Sequence, residues 1–378
     1  MNEHDIFQKA FSDLHASDDT LQEVMNRTRS DKGVKMKPKR IAVLVATLAV
    51  LFSMALVVHG SMLVLLGDRL AVLTPAKNPE KVLDDAFGDT LDTQKAEMYD
   101  SQGNLIELPD MERPKLDLEE AKKLYGDYVS DVDAVFSLGE STFTLKHFMI
   151  DETGVGMLTW TVENPNGLKY IYGGYGSMCF KDANPFLEPS IRHFGADGEE
   201  KFFACTYPAL ISRNEDDTKL ELVTYFGTFD NYEIGDHFVW KIESRTYSER
   251  KTVQITPVSH IPAKKMVAAD GMKLTVGSQG LVIDVNSDEE FIGEKIVLNF
   301  KDGTQYCVED WDKMILNSSG GLWRGDAYRS DDLVVLYNRL VDINKVSSVE
   351  VTAKIPHDKL VGEDYEIDWE YKNYVFTP

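Results

Sequence analysis

Apolar and polar residues alternate with a period of two through most of the chain beyond Phe136. Runs rich in β-branched and aromatic residues are separated by turn sequences such as Asp151-Glu152-Thr153-Gly154, Asn164-Pro165-Asn166-Gly167 and Lys301-Asp302-Gly303. This period predicts strands with one buried face, and the turn sequences predict hairpins between them. The predicted strands are Thr142–Leu145, Met157–Val162, Tyr170–Tyr172, Lys201–Tyr207, Lys219–Phe226, His237–Ser244, Thr252–Pro257, Met272–Val276, Leu281–Val285, Lys295–Phe300, Gln305–Val308, Val334–Leu336, Ser348–Ile355 and Tyr365–Phe376.

Strands at short spacing without intervening helices predict a mainly β fold with two tandem antiparallel sandwiches of immunoglobulin-like shape. The first is expected over residues 115–258 and the second over 259–378, with a linker around Val258–Lys265. A helix leads into the first sandwich, because Asp117 followed by Glu120 resembles a capping box and an apolar stripe continues to about Ser130.

A single long apolar segment, Ile41–Leu66, contains no Asp, Glu, Lys or Arg. As a helix it would extend ~39 Å, which exceeds the ~30 Å hydrocarbon core of a bilayer. We interpret it as a transmembrane helix, followed by a polar stalk over residues 67–114. A buried helix of a soluble protein and a cleaved signal peptide are the alternatives. Signal peptides have a short basic start and an apolar run of about 7–15 residues, whereas here a longer run follows residues 1–40.

Basic residues at the near end of this segment predict its orientation. The positive-inside rule places the N-terminus in the cytoplasm, because the segment is closely preceded by Lys32, Lys35, Lys37, Lys39 and Arg40. The net charge of the whole chain is −23, whereas residues 1–40 carry eight basic and seven acidic residues. The acidic C-terminal part is therefore predicted to lie outside the membrane.

The cytoplasmic residues 1–40 form two predicted helices with apolar stripes. The first contains Ile6, Phe7, Ala10, Phe11 and Leu14, and the second starts at the N-cap Ser17 and contains Leu21, Val24 and Met25. So short a segment buries little surface alone, so the stripes need each other, the membrane surface or a partner protein. The predicted partner-binding residues are Phe7, Phe11, Leu14, Leu21 and Met25. The alternative is a marginal hairpin that precedes the membrane helix and binds nothing.

Sequence motifs for catalysis, cofactors and metals are missing. The chain contains no Gly-x4-Gly-Lys-Ser/Thr, His-Glu-x2-His or Gly-x-Ser-x-Gly motif, so no enzyme activity, cofactor or metal site is predicted. The acidic balance argues against nucleic-acid binding, which needs concentrated Lys and Arg. Cys179 and Cys205 fall in one predicted domain and could pair or remain buried thiols, and Cys307 is expected in the core.

The order of segments and several strand sequences resemble a known family. They are His15-Ala16-Ser17 with the helix after it, the basic patch and apolar segment, FTLKHFMIDETGVGMLTWTVENPNG, VWKIESRTYSERKTVQITPV, MKLTVGSQGLVIDV and DINKVSSVEVTAKIP. Together they resemble single-pass membrane proteins of low-GC Gram-positive bacteria that carry the domain of unknown function numbered forty-one seventy-nine, which are described as anti-sigma-factor-like. The resemblance implies single-pass topology and tandem β-domains. Zinc-type anti-sigma factors use His-x3-Cys-x2-Cys, and no cysteine precedes Cys179, so binding of a sigma factor would be zinc-independent.

Two functional hypotheses follow from this organisation. In the first, the β-sandwiches respond to an unknown envelope ligand and residues 1–40 sequester a cytoplasmic sigma factor. In the second, the chain is a membrane-anchored envelope-binding or structural protein with a passive cytoplasmic segment. A cytoplasmic protein partner for residues 1–40 distinguishes the first hypothesis from the second.

Overall fold

The protein is described by a computed structural model. It describes residues 68–88, 98–99, 105–106, 116–170, 178–180, 186–201, 203–205, 208–228, 232–244, 250–285, 292–313, 315–324, 332–361 and 364–378.

Strands dominate this part of the chain. The elements up to residue 255 are β1 (Asp68–Ala71), β2 (Thr74–Pro75), α1 (Pro79–Phe87), β3 (Met98–Tyr99), β4 (Leu105–Ile106), α2 (Leu118–Tyr125), β5 (Ser130–Leu138), β6 (Ser141–Ile150), β7 (Gly156–Glu163), β8 (Leu168–Tyr170), β9 (Met178–Phe180), β10 (Phe186–Phe194), β11 (Glu200–Lys201), β12 (Phe203–Cys205), β13 (Ala209–Arg213), β14 (Lys219–Thr228), β15 (His237–Ser244) and β16 (Arg250–Ile255).

The later elements are all strands except for one short 3-10 turn. They are β17 (Lys264–Val267), β18 (Lys273–Val276), β19 (Gly280–Asp284), β20 (Ile292–Phe300), β21 (Gln305–Asp310), β22 (Ile315–Leu316), β23 (Ser318–Arg324), β24 (Asp332–Tyr337), β25 (Val346–Val361) and β26 (Asp364–Phe376). The 3-10 turn Trp311–Lys313 follows β21, and a similar turn, Gly126–Tyr128, follows α2.

Two sheets pack face to face in the first sandwich. Sheet I has the order β1-β16-β15-β10-β9-β8, with β11 beside β10, and sheet II has the order β12-β14-β7-β6-β5-β2, with β13 beside β14. Large aromatic side chains fill the space between them. Trp160 of sheet II and Trp240 of sheet I are in edge-to-face contact at 5.7 Å, and Phe226 lies 5.0 Å from Phe238. These rings make the first hydrophobic core.

The second sandwich repeats this arrangement with smaller side chains. Sheet III has the order β17-β18-β19-β24-β23, and sheet IV has the order β22-β21-β20-β25-β26. Leu281 and Val335 of sheet III are buried in one cluster with Leu298 and Val351 of sheet IV. The two sandwiches belong to one compact unit.

The predicted mainly β architecture with several sheets is therefore confirmed. The strand predicted at His237–Ser244 has the same bounds in the structure, and Asp302-Gly303 forms the turn between β20 and β21, with Gly303 at φ 86°. The helix predicted after Asp117 is also present, but it ends at Tyr125 rather than near Ser130, which begins β5. The Asp117 carboxylate accepts a hydrogen bond from the Glu120 amide at 3.1 Å, which satisfies one free N–H of the first turn.

The predicted stalk over residues 67–114 differs from the structure. β1 pairs in parallel with β16, β2 pairs with β5, and α1 buries Val82 and Leu83. Asn78 caps α1 and Pro79 occupies its first turn, where a missing N–H costs nothing. Residues 68–88 are thus folded against the first sandwich, whereas β3 and β4 pair with each other.

A second difference concerns Asn164-Pro165-Asn166-Gly167, which was expected to close a hairpin. β7 before this turn lies in sheet II, whereas β8 after it pairs with β9 in sheet I. The turn therefore connects the two layers of the sandwich. Its Gly167 adopts φ 84°, a conformation that glycine tolerates without a Cβ clash.

No helix among the described residues is long and apolar enough to cross a bilayer. The predicted transmembrane segment 41–66 and the predicted helices of residues 1–40 lie outside those residues. Both stay predictions.

Candidate functional site: the junction of the two sandwiches

The outer face of sheet II contacts the second sandwich through an apolar surface, which we call the junction. Val155 and Met157 of the first sandwich are buried in the same cluster as Val334 and Leu336 of β24. Alternate residues of β24, such as Val335, point into the core of their own sandwich. One strand thus contributes to both the second core and the junction, as expected for a strand that is buried on both faces.

Helices α1 and α2 pack against part of this outer face. Phe87 of α1 contacts the ring of Tyr225 at 5.7 Å, and the Tyr225 hydroxyl donates a hydrogen bond to the Ala86 carbonyl. Tyr125 of α2 is buried in the same cluster. Both helices are therefore packed beside the junction.

Polar contacts cross the junction at several points. The Gln279 amide N–H donates to Asp151 Oδ2 at 3.3 Å, and the Gln279 side chain donates to the Val155 carbonyl at 3.3 Å. From the segment between the sandwiches, the Ala263 amide donates to Glu152 Oε2 at 3.0 Å. Lys345 of the second sandwich forms an ion pair with Glu120 of α2. These bonds fix the contact between the apolar faces.

Asp151 is the buried ionisable residue of this junction, with 0% of its surface exposed. Its Oδ1 accepts hydrogen bonds from the Thr153 amide at 3.0 Å and from the Thr153 hydroxyl. Burial raises the pKa of Asp151 to about 7, even though these donors and the Gln279 amide favour the ionised form. The carboxyl group can therefore gain or lose a proton near neutral pH.

A second polar cluster lies within the first sandwich. The Asp236 carboxylate oxygen Oδ2 accepts hydrogen bonds from three groups. They are His193 Nε2 at 2.9 Å, Lys201 Nζ at 2.9 Å and the Glu233 amide at 3.0 Å. Burial opposes ionisation of Asp236, but these donors outweigh it and lower its pKa. An ionised carboxylate with this many donors ties β10 and β11 to the turn before β15, so we assign it a structural role.

Within the described part of the chain, no group of three or more His, Cys, Asp or Glu side chains is placed to hold a metal ion. Cys307 is half-buried and lies on the opposite face of β21 from the buried Tyr306 and Val308, so its predicted place in the core is wrong. Burial raises the pKa of its thiol, which keeps it protonated. The backbones of Cys179 and Cys205 lie in sheets I and II respectively, and their pairing stays open.

The partner-binding residues predicted from the sequence, Phe7, Phe11, Leu14, Leu21 and Met25, lie outside the described residues. The sequence did not predict the junction, because Asp151 lies in a turn sequence and such turns usually face solvent. Two glycines indicate the junction in the sequence. Gly277 and Gly280 flank the β18–β19 turn, and their lack of a side chain leaves room for a neighbouring surface.

Comparison with known proteins gives little further guidance. No family model and no curated protein matches this chain. A solved structure of manganese lipoxygenase of Gaeumannomyces graminis with part of zonadhesin of Komagataella pastoris aligns over 63% of this chain and 91% of its own, at 11% identity. Its TM-score of 0.12 is too low to indicate a common fold.

Proposed function

We propose that this chain is a single-pass membrane protein that transmits the state of its extracytoplasmic part to a cytoplasmic protein partner. Residues 41–66 span the membrane, the two sandwiches lie outside it and are immunoglobulin-like, and residues 1–40 sequester a sigma factor without zinc. The resemblance of the sequence to anti-sigma-like membrane proteins and the basic residues before the apolar segment support this assignment.

The observation that carries the proposal is the position of β1. This strand begins at Asp68, two residues after the end of the apolar segment, and pairs in parallel with β16 from Asp68 opposite Thr252 to Ala71 opposite Ile255. The Arg69 guanidinium also donates to the Val135 carbonyl of sheet II. A passive tether needs only a flexible connection, whereas this strand is hydrogen-bonded along its length.

The same strand pair leads to the junction. β16 is the last strand of the first sandwich, and the chain after it reaches Ile261, whose amide donates to the Ile150 carbonyl at 3.0 Å. A change at the junction therefore has a short route along the chain to β16 and across the β16–β1 hydrogen bonds to β1. This route favours signal transmission over the passive-anchor hypothesis.

The proposed topology predicts opposite labelling of two positions. In a chain whose three cysteines are replaced by serine, a cysteine in place of Glu200 should react with a membrane-impermeant thiol reagent in intact cells, whereas a cysteine in place of Ser30 should react only after lysis. Glu200 lies in β11 and is exposed in the folded chain. Protection of position 200 in intact cells, with labelling after lysis, would contradict the proposal.

The proposed partner contact predicts a selective loss of binding. Removing two aromatic anchors in the Phe7→Ala, Phe11→Ala variant should weaken partner binding at least thirtyfold, since one truncated anchor commonly costs about 2 kcal/mol. The full-length tagged chain is purified from membranes, and co-purified proteins are identified by mass spectrometry. The expected protein is a sigma factor.

A matched variant controls for the loss of helix-surface charges. Lys9→Ala, Asp13→Ala removes two charged residues between and beside the same anchors and should change binding little, since exposed charge pairs contribute about 0–1 kcal/mol. Equal recovery of the same protein with all three chains, or recovery of no sigma factor with the wild type, would favour the passive anchor.

A further inference from the structure

Three chain segments meet at Asp151. Its own turn joins β6 to β7, the segment between the sandwiches contributes Ile261, and the β18–β19 turn contributes Gln279. The Glu152 amide donates to the Ile261 carbonyl at 2.9 Å, while the Gln279 amide donates to the Asp151 carboxylate at 3.3 Å. The carboxyl group thus lies where both sandwiches and their connection are in contact.

The β18–β19 turn approaches the Asp151 carboxylate very closely. An ideal Cβ built on Gly277 would lie within 3.0 Å of both carboxylate oxygens, and one built on Gly280 would lie within 3.1 Å of the Val155 side chain. Gly277, Ser278, Gln279 and Gly280 are all buried. Water is therefore excluded from the carboxyl group as long as this turn stays in contact.

The groups that face Asp151 do not neutralise a negative charge. Its electrostatic neighbours are Tyr125 of α2, Tyr232 before β15 and Tyr337 of β24, and burial raises the pKa of each of these hydroxyls. Glu152, the next residue, is itself acidic. His260 contacts Tyr232, and burial lowers its pKa. In the described part of the chain, no Lys, Arg or His forms an ion pair with Asp151.

Asp302 provides an internal comparison with the same local bonds. Its Oδ1 accepts from the Thr304 amide at 2.9 Å and from the Thr304 hydroxyl at 2.6 Å, as Asp151 does from Thr153. Asp302 is exposed, and the hydrogen bonds from Thr304 lower its pKa. Because the local bonds are alike, the opposite behaviour of Asp151 results from its burial in the junction.

An unused acceptor lies in the same junction. Gln279 Oε1 is buried and has no hydrogen-bond partner among the described residues, although the amide nitrogens of Gln279 bond to Asp151 and Val155. Buried acceptors are usually satisfied. A protonated Asp151 carboxyl group would add a donor to this junction, whereas an ionised one adds none.

We propose that Asp151 forms a proton-dependent contact between the two sandwiches: the uncharged side chain keeps the junction closed, and ionisation opens it. This inference concerns the folded unit itself and does not depend on the proposed membrane function. Opening exposes the carboxyl group to water, where it releases its proton, and closing requires that the proton be taken up again.

The sign of the pH dependence follows from the two states. In the closed junction the pKa of Asp151 is raised to about 7, whereas in the open junction it should be near its ordinary value of 3.8. The closed state therefore binds the extra proton between these values. The stabilisation of the closed state by this proton is fully present below the lower pKa. It is lost as the pH rises through the higher pKa.

Hydrogen exchange at the Gln279 amide measures this opening directly, because that N–H donates to Asp151. In the full-length wild-type chain in detergent, the protection of a peptide containing Gln279, corrected for the intrinsic exchange rate, should fall about tenfold per pH unit from about pH 5 to 7 and level off above. A peptide from the core of β20 should keep its protection. In Asp151→Asn the Gln279 protection should not change with pH, whereas Asp302→Asn should behave like the wild type.

Two outcomes would overturn the inference. Constant Gln279 protection in the wild type between pH 5 and 7 would show that Asp151 stays ionised in the closed junction, and this test needs no variant to fold. An equal fall in the β20 peptide would show that pH acts on the whole fold rather than on the junction.

Discussion

Replacing Trp160 by alanine should lower the free energy of unfolding by about 3–5 kcal/mol, as truncation of a buried aromatic residue commonly does. Trp160 is fully buried in β7, its indole N–H donates to the Thr224 hydroxyl at 3.1 Å, and its ring contacts Phe143 and Trp240. Trp240 belongs to the facing sheet, so the substitution removes contacts both within sheet II and between the sheets. Urea unfolding of the full-length chain, followed by circular dichroism, measures the change.

Two variants show whether this loss comes from core packing. Trp160→Phe keeps an aromatic ring in the core and should be destabilised less than Trp160→Ala, because the cavity left behind is smaller. Val375→Ala on β26 removes a side chain that is 51% exposed and should change stability by less than about 0.5 kcal/mol. A Trp160→Ala midpoint equal to that of the wild type would mean that the two sheets do not share this core.

Many of the β-strands could be predicted from the sequence because their residues alternate and their turns carry glycine, but β5, β10, β13, β17 and β23 were not among those predicted. β15 was located with its bounds, since Phe238, Trp240 and Ile242 alternate with partly exposed residues. Helix α1 was missed, because Asn78 and Pro79 resemble turn residues when no packing partner is known. Its helical state depends on burying Val82 and Leu83 against the outer face of sheet II, as is common for short helices.

The pairing of strands was less predictable than their positions. Asn164-Pro165-Asn166-Gly167 has the composition of a hairpin turn, yet it leads from sheet II to sheet I. A turn sequence specifies a reversal of the chain but not which neighbour the next strand selects. That choice depends on which face of each strand is buried.

The junction could not be predicted for a related reason. Asp151 and Gln279 are 128 positions apart, and each lies in a turn that would face solvent in an isolated sandwich. Only contact between two folded sandwiches removes the carboxyl group from water. Burial of this kind depends on tertiary contacts. Neither the hydrophobic periodicity of the sequence nor the secondary-structure propensities of its residues predict it.

Replacing Gly277 by alanine should open the junction without unfolding either core. The new methyl group would lie within 3.0 Å of both Asp151 carboxylate oxygens, closer than real side chains pack. Overpacking of this kind typically costs about 1–3 kcal/mol, so exchange at the Gln279 amide should accelerate about five- to 150-fold. Hydrogen exchange of the same Gln279 and β20 peptides measures the effect, with acceleration expected only in the first.

Gly126→Ala is the matched control, because a Cβ at this position would meet its nearest neighbour, Pro79 Cγ, at an ordinary 3.5 Å. Its backbone is already helical, so the substitution should leave the Gln279 amide unchanged. If the effect of Gly277→Ala arises from the carboxylate, adding Asp151→Ala removes the obstacle, and the double variant should lose less protection than the sum of the two single variants. Strictly additive losses of protection would show instead that Gly277 and Asp151 act independently. In that case the close approach of the β18–β19 turn to Asp151 would not hold the sandwiches together.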